Sequence, residues 1–118
     1  MRDMLRILDK ATENNKRDGI TGLLCFTHDM FLQVLEGDAL AVNQLYRKII
    51  VDGRHKEVKL IDYSSVLKRE FSDWAMGFVD LETVSITKLD MNALPDIKEI
   101  DRVHAFLLLK ELAKTLHR

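Results

Sequence analysis

Gln33 stands alone as an amide in the apolar run Phe31-Leu32-Gln33-Val34-Leu35, which is followed by Glu36-Gly37. A primary amide offers two N–H donors and an acceptor oxygen and is costly to bury unpaired. In such a run it either ties down a backbone group or faces a polar ligand. Asn14-Asn15 offers the same chemistry twice, against the plainer reading that both asparagines end a helix, since asparagine tolerates the left-handed conformation and bonds to nearby backbone. Asp73-Trp74-Ala75-Met76 sets an indole and a thioether two residues apart, which on a strand means one face and core packing. Arg54-His55-Lys56, with Arg47 and Lys48 upstream, gather positive charge near the end of a helical stretch, where they either neutralise phosphate or decorate a solvated helix end. Asp29, Glu36 and Asp38 surround a hairpin with no positioned base or nucleophile among them, and read as a solvated face. His28, His104 and His117 lack Cys or acidic partners at ligand spacing, so no metal site is expected. No Gly-x-Gly-x-x-Gly or P-loop run is present to cradle phosphates.

These side chains need elements to hold them. Leu5, Leu8, Ala11 and Thr12 recur at helical spacing, predicting an amphipathic helix over residues 2 to 15, closed by Asn14, Asn15 and Gly19. Residues 20 to 26 read as a strand, Thr27-His28-Asp29 as the turn, and residues 30 to 35 as the returning strand. Leu40, Val42, Leu45, Tyr46, Ile49 and Ile50 fit a helix with Asp38 as N-cap, stopping near Asp52-Gly53. A third strand is expected over 58 to 63, a polar connection over 64 to 73, and a short last strand over 74 to 79. Pro95 marks a boundary before a C-terminal helix patterned by Val103, Phe106, Leu107, Leu109, Leu112, Ala113 and Leu116. Trp74 is the expected centre of the core, its truncation to alanine costing about 3 kcal/mol.

A chain of 118 residues with 47% apolar content fits one compact domain. Eighteen Lys and Arg against 19 Asp and Glu advertise no broad basic surface, so no nucleic-acid partner is expected. The single cysteine, Cys25, sits inside a strand and reads as a small core hydrophobe, which suits a reducing cytoplasm. No run is long and apolar enough to span a membrane, and the start lacks a signal-peptide core.

Taken in order, Asn14-Asn15, Asp18-Gly19-Ile20-Thr21-Gly22, the stretch Phe31 to Gly37, the stretch Tyr46 to Ile50 followed by Asp52, Arg54 and His55, and Arg69 to Gly77 resemble the BLUF family, blue-light sensors that hold a flavin. The resemblance implies an α+β fold: a ferredoxin-like βαββαβ sheet with two packed helices, its first strand missing here, plus a C-terminal helix. It divides the chain into a core, residues 1–79, and an extension with a capping helix, residues 80–118. The implied cofactor is FAD, its ring lying between the two helices. Asn15 is the implied flavin-binding asparagine and Asn14 its neighbour. Gln33 is the glutamine whose hydrogen bonds rearrange under blue light, and Trp74 and Met76 relay the change to the last strand. Lys48 stands where the family often has an arginine near the ring carbonyl, keeping the charge but losing the planar fork. Asp52 and Arg54 match positions near the polar part of the cofactor, and His55 completes that segment.

The family's light-reactive tyrosine, on its first strand, has no counterpart in residues 1–118, and Tyr46 and Tyr63 match other places. A start placed too late, a truncated chain or a degenerate member each accounts for this. The first reading is therefore a cytoplasmic flavin-binding sensor domain that is not an enzyme and signals through a homo-oligomer or a separate protein effector. The alternative is a degenerate oligomerisation or partner-binding module without photochemistry.

Overall fold

The computed structural model describes residues 2–27, 30–53, 57–81 and 97–116. The expectations placed on His28, Asp29, Arg54, His55, Lys56, Pro95 and His117 lie outside these residues. The described elements are helix α1 (Arg2–Asp18), strands β1 (Thr21–Thr27) and β2 (Met30–Glu36), helix α2 (Ala39–Val51), strand β3 (Gly77–Asp80), a 3-10 turn (Ile97–Glu99) and helix α3 (Arg102–Ala113).

Helix α1 runs past Asn14 and Asn15, so the asparagines do not end it. Gly19 does, with φ of 71°. The Ile20 N–H reaches back to the Asn15 carbonyl at 2.9 Å, the long-range bond of a Schellman ending, and Ile20 is buried, as the apolar residue after such a glycine tends to be. Asn15 has other work for its side chain, described below.

The sheet is mixed, in the order β2-β1-β3. β1 and β2 are antiparallel, with Leu23 opposite Val34 and Cys25 opposite Leu32. β1 and β3 are parallel, with Leu23 opposite Gly77 and Cys25 opposite Val79. Alternation along each strand puts these residues on one face. That face is dry: Leu23, Cys25, Leu32 and Val79 pack with Phe71, Leu81 and Ile100 and with Ala105, Leu108, Leu109 and Leu112 of α3. Burial pushes the Cys25 thiol up to about 12, with Asp80 adding to the shift, so the side chain is a neutral hydrophobe at physiological pH.

Helix α3 starts at Asp101, whose carboxylate accepts the His104 N–H at 2.8 Å, an N-cap with its bond to the third helical residue. The His104 contacts also hold the Asp101 carboxyl below the usual carboxylate range. The tail's apolar residues do not share one face as expected. Ala105, Leu108, Leu109 and Leu112 are buried, whereas Val103, Phe106 and Leu107 are exposed.

Residues 58–63 do not form the expected third strand. Among the described residues the segment pairs with neither edge strand, β2 or β3, and an extended segment that joins no ladder is not a strand. Only Ile61 of that stretch packs against the core. The last strand begins at Gly77 rather than 74, because the Trp74 N–H turns back to the Phe71 carbonyl at 3.3 Å. Asp38 does precede α2, but its side chain makes no capping bond.

Candidate functional site

The other face of the sheet bears Gln33. It carries Leu24, Phe26, Phe31, Gln33, Leu35 and Phe78, each at least partly accessible, in contrast with the dry face. Gln33 sits opposite Leu24 of the central strand. The residue as a whole is exposed rather than buried in the apolar run. Gln33 Nε2 donates to the Met76 sulfur at 3.6 Å, a weak acceptor.

Asn15 is the buried amide, 1% exposed. Its Nδ2 donates to the Ala75 carbonyl at 2.7 Å, tying the last turns of α1 to the segment before β3. Asn14 is half-buried beside it. Trp74 and Met76 precede β3 instead of lying on it, so they do not share a strand face. Met76 is buried at Gln33, while Trp74 is half-buried and packs toward Ala113 and Leu116 at the end of α3.

Helix α2 has no buried residue, although Val42, Leu45, Tyr46 and Ile49 are apolar and half-buried. Lys48 is exposed on its last turn. Arg17's hydrogen bond and charge hold the Asp18 carboxyl below the ordinary range, and Lys48 adds to the attraction, which sets the end of α2 near the end of α1. Asp52 is half-buried at the C-cap of α2. Arg54 and His55 lie outside the described residues. Asn15 and Gln33 bring two primary amides to the adjacent residues Ala75 and Met76, and the donors and acceptor of such amides suit the polar edge of a flavin.

Two residues escaped the reading of the sequence. Glu36, read as part of a solvated face, is buried and accepts hydrogen bonds from Thr21 Oγ1 at 3.1 Å, the Glu70 N–H at 2.6 Å and the Phe71 N–H at 2.9 Å. The signal was in the period of β2, since Glu36 follows Leu32 and Val34 at steps of two on the dry face. Phe71, inside the supposed polar connection, is 1% exposed in the core.

Comparison with known proteins places the chain's family and fold. Photoactivated adenylate cyclase subunit beta of Euglena gracilis is 35% identical over 75 residues, which cover 63% of this chain and 9% of that protein. The blue light- and temperature-regulated antirepressor of Escherichia coli K12 is 36% identical over 73 residues, 60% of this chain and 18% of that one. The chain thus spans a small part of each relative. The dark-state structure of BlrB, a BLUF protein, matches with a TM-score of 0.78 at 29% identity, covering 98% of this chain and 85% of that chain. Residues 1–77 match the family model for BLUF, sensors of blue-light using FAD. With the α+β fold, the Asn15 and Gln33 amides converging on Ala75 and Met76, and that match over most of its length, the chain belongs to the BLUF family of flavin-binding blue-light sensors, whose cofactor is FAD.

Proposed function

We propose that this chain senses blue light through FAD and passes the signal on without a reaction of its own, by rearranging the hydrogen bonds of Gln33. One observation carries this reading: the two amides that the resemblance assigns to the flavin hold consecutive residues, Asn15 on Ala75 and Gln33 on Met76. Bound FAD supplies the absorption of blue light. Asn15, with Asn14, orients the cofactor from α1; Lys48, Asp52, Arg54 and His55 serve its polar side. Gln33, an exposed residue, is the one that turns in this reading. Turning its amide replaces the donor at the Met76 sulfur with a carbonyl, which that sulfur cannot bond, and so releases Met76 and the start of β3. Trp74 follows, standing two residues before Met76.

In this reading residues 1–79 form the sensing core, a ferredoxin-like βαββαβ sheet without its first strand, and residues 80–118 are an extension capped by α3. Output is by protein contact, to another copy or to a separate effector in the cytoplasm, with neither nucleic acid nor membrane involved. Among the described residues no helix is long and apolar enough to cross a membrane. A module that binds partners without photochemistry is the second reading, favoured by an outer edge of β2 that no strand covers among the described residues and by an α2 with no buried residue. Substitution separates the roles. Asn15→Ala is expected to weaken FAD binding about tenfold, a loss of roughly 1.4 kcal/mol, whereas Gln33→Ala retains FAD and moves its absorption bands. FAD titrations that find both variants indistinguishable from the parent would refute the assignment.

A further inference from the structure

The Glu36 carboxylate is the buried charged group that the sensing reading leaves unused. Its Oε1 accepts from the Thr21 hydroxyl and the Phe71 N–H, and its Oε2 from the Glu70 N–H. Arg69 Nη1 adds a bond to the same Thr21 hydroxyl at 3.3 Å. A carboxylate is acceptor-only and suits converging donors, so the strand end and the 69–71 turn are locked together.

The two amides held in this way belong to residues whose side chains both go to α3. Lys110 Nζ donates to Glu70 Oε2 at 2.8 Å, and that pairing holds the Glu70 carboxyl below its ordinary range. The Phe71 ring meets Phe106 edge-on at 6.3 Å, and the Lys110 ammonium stands 5.9 Å from the Phe71 ring centre. Beyond Phe71 the chain is pinned again where the Gly22 N–H donates to the Trp74 carbonyl at 3.0 Å. Trp74 then lines an open cleft with Glu70, Lys110, Ala113 and Leu116.

We infer that Glu36 is a positioning residue that couples β2 to α3: by holding the Glu70 and Phe71 amides it fixes the 70–74 turn, and with it Trp74, against the C-terminal helix. A displacement of β2, the strand that bears Gln33, is thereby handed to α3 through Glu70–Lys110 and Phe71–Phe106. The link to Gln33 rests on the sensing reading; the coupling of Glu36 to α3 does not, and it is tested without FAD.

Trp74 is the single tryptophan of the chain and so reports the turn directly. In Glu36→Gln, an NH2 group must face either the Glu70 or the Phe71 N–H, and one amide loses its acceptor whichever way the side chain turns. The test compares the full chain, its Glu36→Gln variant and its Lys110→Met variant, with no FAD added, by tryptophan emission and amide hydrogen exchange, with circular dichroism to confirm folding. Folded Glu36→Gln is expected to shift Trp74 emission to the red, admit acrylamide more readily, and speed exchange of the Leu108 to Leu112 amides. Parental emission and α3 exchange in that folded variant would overturn the inference. If Glu36→Gln fails to fold, Lys110→Met decides from the other end: faster exchange at the Glu70 and Phe71 amides supports the coupling, and parental rates there overturn it.

Discussion

Phe71→Ala is expected to lower the unfolding free energy by about 4 kcal/mol, within the range for deleting a buried aromatic ring. The ring is 1% exposed and belongs to the core cluster that joins the dry sheet face to α3. Its loss removes apolar contacts, the edge-on pairing with Phe106 and the Lys110 ammonium at its face. It also leaves a cavity under a turn whose backbone Glu36 still holds, which limits collapse. Urea unfolding of the two proteins checks this, and a loss below about 1.5 kcal/mol would contradict the placement of Phe71 in the core. Trp74→Ala, which the sequence ranks as the greater injury, is expected to cost about 2 kcal/mol, because the indole is only half-buried.

The second large effect is at Gly22, where valine is expected to cost about 3 kcal/mol and to leave much of the chain unfolded at moderate urea. A Cβ there would meet the Val34 carbonyl oxygen, with the Val34 carbonyl carbon at 3.1 Å and the Leu35 Cα at 3.4 Å. Both belong to the backbone of β2, which cannot turn aside as a side chain can. The clash would also strain the Gly22 N–H bond to Trp74. Gly53→Ala is the control, since among the described residues nothing lies within 4 Å of the Cβ it would add. A midpoint for Gly22→Val equal to that of Gly53→Ala would refute the close approach of β1 and β2.

The hairpin and the three helices were legible because their signals are local: apolar runs around a turn, and helical spacing with Gly19 at the end of the first helix. The same locality explains the failures. Residues 58–63 have strand composition, but a strand exists only through a partner, and partners are not written in composition. Asn14-Asn15 looked like a helix end because asparagine often is one, whereas Asn15 spends its amide on Ala75, sixty residues away. Of the residues named for the site, Asn15 bonds Ala75 and Gln33 bonds the adjacent Met76. The expected pairing of Trp74 with Met76 on one strand face failed, because the turn at Phe71 delays the strand until Gly77. Glu36 was misjudged by charge, although its period-two relation to Leu32 and Val34 put it on the buried face.

Absorption spectroscopy of the full chain, loaded with excess FAD, freed of unbound cofactor and followed through blue light and dark recovery, tests the central claim most directly. The account predicts retained flavin whose bands shift to the red under blue light and return in the dark. Flavin that washes away, or stays with bands unmoved by light, would contradict a light sensor built on Asn15 and Gln33.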